Sequence, residues 1–185
     1  MELRKEEYFT FENYLAWDDS ADYELIDGAA YAMAPPSRRH QDISINLILQ
    51  LGAFLRGKRC KLYHPPFAVR LGEFAAQDTV LIPDITVVCD RSKLDNYGCV
   101  GAPDMVVEIL SPSSQKRDRV TKFEMYRRAG VKEYWIVDPE ERTLEQYVLS
   151  GGKYYVQTYD ETATVAVASL EGCVIDLNSV FEDNG

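Results

Sequence analysis

Cysteine and histidine are scarce in this sequence, and neither is spaced as zinc ligands are. The 185 residues include two histidines and four cysteines, which are Cys60, Cys89, Cys99 and Cys173. No CxxC pair is present, and no histidine lies at a spacing that would complete a zinc site. The scattered cysteines indicate reduced thiols in a cytoplasmic protein.

Long apolar segments are also absent. No stretch approaches the roughly 20 apolar residues that span a bilayer, and residues 1–7 lack the apolar core of a secretory signal. No repeat, low-complexity tract or linker divides the chain, and 185 residues fit one domain. We therefore expect a single domain over residues 1–185, located in the cytoplasm and not associated with a membrane.

Positive charge is the third shortage. Lys and Arg number 20 against 30 Asp and Glu, which gives a formal net charge of -10. This balance counts against a large non-specific nucleic-acid surface, because Lys and Arg supply the affinity for phosphates. It does not exclude a metal-dependent enzyme, since metal sites are built from carboxylates. Two basic clusters, at residues 56–61 and 116–128, are ordinarily a solvated helix end or helix face.

The order of the predicted elements favours an α/β fold. Asp27-Gly28 between two extended runs predicts a hairpin, because both residues tolerate positive φ. Residues 104–110 and 133–137 are nearly continuous in apolar residues, which suits strands buried on both faces. A helix between two such strands implies a parallel pair within a mixed sheet. We predict helices at residues 10–17, 39–55 and 116–129, and further strands at residues 21–26, 29–33, 61–71, 79–89, 144–148, 154–159 and 165–170.

Two acidic residues lie where the apolar pattern predicts burial. Glu108 is in the middle of Val-Val-Glu-Ile-Leu, and Asp84 follows Pro83 in a second apolar run. A buried carboxylate is costly unless it binds a cation or hydrogen-bond donors. Pro83 cannot donate to a strand ladder, so a break there would direct Asp84 into a cleft. Taken singly, Glu108 could lie on an edge strand and Asp84 in a turn, but a shared divalent cation would relieve the repulsion between them.

Lys122 lies on the apolar side of the predicted helix at residues 116–129. Helical spacing places it at nearly the same angle as Met125, Tyr126 and Ala129. It either extends along its apolar stem to the surface or has an anionic partner. The helix begins just after the strand that carries Glu108.

Glu24 and His40 are further candidates. Glu24 lies in the predicted hairpin, where it could simply be exposed. His40 begins the second predicted helix, in register with Ile43 and Leu47, where it could cap the helix or complete the core.

The sequence resembles the PD-(D/E)XK nuclease superfamily, because Pro83-Asp84 on one apolar strand is followed by Glu108 on a second apolar strand. The resemblance is closer to one bacterial branch described as restriction endonucleases, and it covers roughly residues 8–150. The matching positions are residues 23–28, 83–84 and 103–114, Lys122 with Tyr126, and residues 129–139.

The sequence departs from the superfamily motif two residues after Glu108, where Leu110 replaces the usual lysine. This branch resembles other members of the superfamily in which the lysine lies on the following helix. Lys122 is the matching position in this sequence. A second Pro-Asp, at Pro103-Asp104, is a rival for the metal acid. We prefer Asp84, because Asp104 opens the same strand as Glu108, two pleats away.

The resemblance implies a restriction-endonuclease-like fold and metal-dependent hydrolysis of phosphodiester bonds in nucleic acid, with DNA as the expected substrate. Mg²⁺, with Mn²⁺ as an alternative, would be held by Asp84 and Glu108, and Lys122 would complete the catalytic set. Glu24 and His40 would belong to the outer part of the site. The nucleic-acid backbone would contact Lys116, Arg117 and Arg119, and a homodimer remains open.

Two other functions also remain open at this point. Leu110 and the net charge of -10 fit a non-catalytic accessory protein that binds metal or nucleic acid and retains the nuclease fold. An enzyme acting on a small phosphorylated substrate would show phosphodiesterase activity without salt-dependent affinity for DNA.

Overall fold

The computed structural model describes residues 8–17, 23–71 and 78–182, and the main chain alone of residues 2–3. Within these residues the chain forms two six-stranded sheets, one two-stranded sheet and four α-helices. The helices are α1 (Phe11–Ala16), α2 (Arg38–Leu55), α3 (Phe123–Ala129) and α4 (Leu177–Val180), with a 3-10 turn at Arg91–Lys93 and a π-helical turn at Arg117–Lys122. The strands are β1 (Glu2–Leu3), β2 (Tyr23–Ile26), β3 (Ala29–Ala32), β4 (Lys61–Tyr63), β5 (Ala68–Arg70), β6 (Val80–Leu81), β7 (Ile85–Val88), β8 (Gly98–Val100), β9 (Met105–Ile109), β10 (Glu133–Asp138), β11 (Thr143–Ser150), β12 (Lys153–Asp160), β13 (Thr164–Ala166) and β14 (Val174–Asp176).

The first sheet, in the order β1-β3-β2-β6-β5-β8, contains the predicted hairpin. Strands β2 and β3 pair antiparallel around Asp27 and Gly28, whose φ angles are 48° and 77°. Positive φ at both central residues is the geometry of a two-residue hairpin turn. The prediction is confirmed for these strands, although residues 21 and 22, with which it began, lie outside the described residues.

The second sheet, in the order β12-β11-β10-β9-β7-β4, contains the parallel pair. Strand β10 runs parallel to β9 and places Ile136 opposite Glu108, as the strand-helix-strand pattern predicted. The antiparallel partner on the other side of β9 is β7, with Ile85 opposite Val107. All five residues of β9 are buried, so both faces of the sheet are covered.

Helices α2 and α3 cover opposite faces of the second sheet. One face of β9 packs with the α2 side chains Ile43, Leu47 and Leu51. The other face packs with the α3 side chain Tyr126. This is the mixed α/β architecture, with a sheet flanked by helices and additional antiparallel strands, that the sequence predicted.

Two long predicted strands are each divided in two. The strand predicted at residues 61–71 is β4 and β5, which are separated where Pro65 and Pro66 lack the main-chain N–H that a ladder needs. The strand predicted at residues 79–89 is β6 and β7, separated at Pro83 and Asp84, where a break was expected. Near the C-terminus, the strand predicted at residues 165–170 is the shorter β13, and it pairs with a strand that was not predicted, β14.

The prediction of four reduced thiols is wrong in the structure. Cys60 and Cys89 form a disulfide. Strands β4 and β7 pair antiparallel with Lys61 opposite Val88. Cys60, just before Lys61, is therefore next to Cys89, just after Val88. This register could not be read from cysteine spacing. Cys99 and Cys173 are free and buried.

None of the helices in the described part of the chain is both long enough and apolar enough to cross a membrane.

Candidate active site

A cleft of about 610 Å³ collects the acidic side chains that the sequence analysis singled out. It lies where β7 begins and β9 ends, between the N-terminus of α2 and the π-helical turn. Its charged or titratable lining residues are Glu24, His40, Asp84, Glu108, Arg117, Asp118 and Lys122. The fold therefore brings together residues that are up to 98 positions apart in the sequence (24 to 122).

Asp84 is placed in this cleft by the break between β6 and β7. Its Oδ2 accepts a hydrogen bond of 2.7 Å from the main-chain N–H of Ile109, and it lies 3.2 Å from Nε2 of His40. The pairing of β7 with β9 ends at Ile85 opposite Val107, next to Asp84 and Glu108 in the sequence. Both acids line the cleft.

Glu108 is 4% exposed and shares one carboxylate oxygen between two donors. Its Oε1 accepts hydrogen bonds from Nζ of Lys122 at 2.9 Å and from the hydroxyl of Tyr126 at 2.8 Å. Burial raises the pKa of Glu108 well above its usual value, while the charge of Lys122 acts in the opposite direction. The negative charges of Asp118, Glu24 and Asp84 also raise this pKa. A cation in the cleft would favour the ionised carboxylate.

Lys122 points inward from the end of the π-helical turn and is 4% exposed. Its Nζ lies 2.8 Å from Glu24 Oε1, 2.9 Å from Glu108 Oε1 and 3.3 Å from Asp118 Oδ1. Burial lowers the pKa of Lys122, but the three carboxylates outweigh it and raise the pKa well above its usual value. The ammonium is therefore protonated at neutral pH, and it contacts anions rather than extending to the surface.

Glu24 is buried rather than exposed on its hairpin. Its Oε1 accepts a hydrogen bond of 3.0 Å from the main-chain N–H of Ile82, which joins β2 to the segment before Asp84. The same oxygen contacts Lys122, so the lysine bridges Glu24 and Glu108.

The sequence analysis assigned no role to two residues of this cluster, Asp118 and Tyr126. Asp118 is buried four residues before Lys122, and its Oδ1 has no hydrogen-bond partner in the described part of the chain despite its nearness to the ammonium. A carboxylate four positions before a buried lysine was a usable signal in the sequence. Tyr126 was recognised as a residue of the apolar stripe and as a position of the family resemblance, but the contact of its hydroxyl with Glu108 was not predicted, because the apolar pattern does not show where a hydroxyl points.

His40 lies in the first turn of α2, where its main-chain N–H is bound by the side chain of Ser37 at 3.1 Å. Its ring is 8% exposed. Burial lowers the pKa of His40, but the hydrogen bond and the charge of Asp84 outweigh it and raise the pKa above its usual value.

The three basic residues expected to receive nucleic acid have different surroundings. Arg117 lines the cleft, and its guanidinium lies 5.2 Å from the centre of the Tyr31 ring. Lys116 is exposed. Arg119 forms ion pairs with Glu145 and with Asp138, so its charge is engaged within the protein.

The rival acid Asp104 lies at the opposite end of β9. Its carboxylate accepts hydrogen bonds from the main-chain N–H of Cys89 at 2.7 Å and from Nζ of Lys132 at 2.6 Å. Leu110, at the usual lysine position, packs in the core with Val106 and Tyr126.

The donor set of the cleft fits a hard divalent cation. Four carboxylates share the cleft with one lysine, one arginine and one imidazole, and carboxylate oxygens are the ligands that Mg²⁺ prefers. Oδ1 of Asp118 lies 3.3 Å from Lys122 Nζ but accepts no hydrogen bond within the described part of the chain. Among the described residues, no three His, Cys, Asp or Glu side chains are already arranged around one point. The carboxylate of Glu108 would have to share its contacts with Lys122 and Tyr126 to bind an ion.

The fold is that of the restriction-endonuclease-like proteins. A family model described as "Putative restriction endonuclease" (Uma2) matches residues 11–178. The chain belongs to this family.

Two curated relatives and one solved structure show what the chain is similar to. Two curated relatives from Synechocystis sp. are named uncharacterized proteins slr1290 and sll1609. The first is 28% identical over 163 residues, covering 86% of this chain and 84% of the relative. The second is 23% identical over 138 residues, covering 73% and 76%. A crystal structure from Anabaena variabilis, described as "a putative nuclease belonging to DUF820", is 20% identical with a TM-score of 0.75, and the match covers 94% of this chain and 97% of that one.

Proposed function

We propose that this protein is a metal-dependent nuclease that hydrolyses phosphodiester bonds, with DNA as its substrate. The observation that carries the proposal is the buried Lys122, whose Nζ lies between carboxylate oxygens of Glu24 and Glu108 in the cleft that Asp84 also lines. Family membership and the fold of the Anabaena protein support the same reaction class.

Asp84 and Glu108 are the residues that would hold the cation, Mg²⁺ or Mn²⁺. Such an ion, when bound, lowers the pKa of a coordinated water and neutralises charge on the phosphate. The hydrogen bond from Ile109 fixes Asp84, and that from Tyr126 fixes Glu108. Both carboxylates are therefore oriented before substrate arrives.

Lys122 supplies the positive charge that the motif normally takes from the residue two after the glutamate. Its ammonium donates hydrogen bonds, so it can orient a water or stabilise negative charge on a phosphoryl oxygen. The charges of Glu108, Glu24 and Asp118 raise the pKa of Lys122. Arg117 at the cleft and Lys116 outside it would contact the nucleic-acid backbone, whereas Arg119 is engaged by its own acidic partners.

The test is a cleavage assay on double-stranded and single-stranded DNA and on RNA, with Mg²⁺, with Mn²⁺ and with EDTA. We expect metal-dependent cleavage that falls by about 100-fold or more in Asp84→Asn and in Glu108→Gln. The matched control is Asp104→Asn, which changes the other Pro-Asp of the chain and should retain activity within about 3-fold when corrected for folded protein. Cleavage that persists in the Asp84→Asn, Glu108→Gln double variant would contradict the site.

A metal-binding accessory protein is the second candidate, favoured by Leu110 in the usual lysine position. In that case Mg²⁺ would still raise the melting temperature by mass action, and Asp84→Asn would still remove the rise, but no nucleic acid would be cut. An enzyme for small phosphorylated substrates would hydrolyse a nitrophenyl phosphodiester without salt-dependent binding to DNA.

A further inference from the structure

His40 takes no part in the mechanism proposed above, although it contacts one of its central residues. The imidazole lines the cleft and is almost completely buried. It is also rigidly placed, because Ser37 binds the first turn of α2 and the same helix is anchored in the core through Ile43 and Leu47. A fixed imidazole beside a carboxylate requires an explanation beyond capping.

The ring meets a carboxylate oxygen of the cleft. Nε2 lies 3.2 Å from Oδ2 of Asp84, which also accepts a hydrogen bond from the main-chain N–H of Ile109. Nδ1 is buried and has no hydrogen-bond partner in the described part of the chain. Nε2 is therefore the ring nitrogen that meets the polar atoms.

The separation of Nε2 from the Asp84 carboxylate fits two ligands of one ion. Octahedral Mg²⁺ or a similar ion has bonds of about 2.1 Å, so neighbouring ligand atoms on it lie about 3.0 Å apart. The 3.2 Å between Nε2 and Oδ2 matches this edge of an octahedron. An ion held by that oxygen of Asp84 is thus within bonding reach of Nε2, without movement of α2.

We propose that His40 is a nitrogen ligand of the cation and makes the site select Mn²⁺ over Mg²⁺. The inference rests on the proposed metal site and adds to it the identity of the ion. Mg²⁺ binds oxygen ligands and loses its waters reluctantly. Imidazole is a ligand of transition-metal ions and not of Mg²⁺, so a nitrogen ligand lowers the affinity for Mg²⁺ relative to Mn²⁺, the transition-metal ion expected at this site.

The decisive measurement is pulsed EPR of Mn²⁺ bound to the full chain, because it detects nitrogen nuclei bonded to the ion. The parent protein is prepared twice, once with natural histidine and once with ¹⁵N-labelled histidine. We expect a ¹⁴N coupling that is replaced by a ¹⁵N coupling in the labelled sample. This comparison uses the native sequence, so it does not depend on the folding of a variant.

The two histidines of the chain provide a matched pair of variants. His64 is exposed and hydrogen-bonds the carbonyl of Pro65, so His64→Gln should retain the nitrogen coupling. His40→Gln should lose it. By calorimetry, His40→Gln should weaken Mn²⁺ binding by about 10-fold or more and Mg²⁺ binding by less than about 3-fold.

Three outcomes would overturn the ligand assignment. They are the absence of a histidine coupling in the parent, its persistence in His40→Gln, and an equal loss of Mn²⁺ and Mg²⁺ affinity in that variant. Asp84→Asn separates this failure from that of the proposed function, because it should abolish binding of both ions. Loss of binding in Asp84→Asn without any histidine coupling would leave the nuclease proposal standing and the ligand assignment refuted.

Discussion

Lys122 has three carboxylate neighbours and no compensating second cation among its described contacts. Its replacement therefore affects stability as well as catalysis. We expect Lys122→Met to lower turnover by about 100-fold or more through loss of an electrostatic stabiliser. The free energy of unfolding should fall by about 3–5 kcal/mol, because buried charges lose their partner. Cleavage rates and urea unfolding curves measure the two effects.

Lys132→Met is the matched control for that variant. Lys132 forms its ion pair with Asp104 from an exposed position, at the opposite end of β9 from Glu108. We expect unchanged cleavage and a loss of stability of about 1 kcal/mol or less. Mg²⁺ should raise the melting temperature of Lys122→Met more than that of the parent, because the ion compensates the carboxylates left without an ammonium. If Lys122→Met cleaves at the parental rate, the lysine has no catalytic role.

Tyr126 positions Glu108 without facing substrate. Tyr126→Phe removes one hydrogen bond to Oε1, which is worth about 1 kcal/mol, so turnover should fall by about 5-fold. Tyr154→Phe removes a bond of the same length, to the carbonyl of Val131, and neither of these residues lines the cleft. Both variants should lose similar stability, but only the first should lose activity and affinity for metal. Equal activity in the two would show that the Tyr126 hydroxyl is purely structural.

The sequence predicted the acidic part of this cluster better than its surroundings. Glu108 and Asp84 interrupt apolar runs, and such an interruption is visible without any structure. Asp118 was not predicted because a carboxylate in a basic helical segment looks like an ordinary surface charge. The burial of Glu24 could not be predicted either, since it depends on the N–H of Ile82, from another strand.

At the scale of elements, the approach of β5 and β8 is controlled by Gly98. These strands pair in parallel with Gly98 opposite Ala68, and a Cβ at Gly98 would overlap the carbonyl oxygen of Ala68. We expect Gly98→Ala to lower the free energy of unfolding by about 2–4 kcal/mol. Gly101→Ala is the control, because Gly101 also has positive φ but has open space around it. It should lose about 1 kcal/mol from backbone strain alone. Equal losses in denaturant unfolding would refute the close approach.

Elements with a strong local pattern were predicted closely, and elements defined by their neighbours were not. The apolar period of α2 and the continuous apolar run of β9 are both local properties. The division of residues 61–71 follows from Pro65 and Pro66. One continuous strand was predicted there because the residues around these prolines favour strands. Strand β14 is held by pairing with β13 and has little pattern of its own.

At the scale of the whole molecule, the reactivity and the number of free thiols test whether Cys60 and Cys89 are bonded. Burial raises the pKa of Cys99 and of Cys173 to about 11, so at pH 8 only about one thiol in a thousand is ionised. Protein purified without reductant should therefore show almost no reactive thiol when folded. Reactivity should increase between about pH 9 and pH 11, as the thiolates form.

The number of thiols released on unfolding tests the disulfide itself. Unfolding without reductant should expose two thiols, and reduction before unfolding should expose four. Four thiols in the unreduced sample would show that Cys60 and Cys89 are not bonded in solution, in agreement with the original expectation of reduced cysteines.

The π-helical turn at Arg117–Lys122 has a consequence for insertions and deletions. A π-helical turn closes with hydrogen bonds one residue longer than those of an α-helix, such as that from the N–H of Phe123 to the carbonyl of Asp118. If this segment closed as a regular α-helix with all its residues, the part before the turn would rotate by about 100° relative to Lys122 and Tyr126. Asp118 would then turn away from the cleft. Removing the exposed Val120 would offset that rotation, because four α-helical residues and five π-helical residues both make about one turn. The length of the segment that follows β9 and its helical form are therefore linked, since a change in one keeps Asp118 at the cleft only with a matching change in the other.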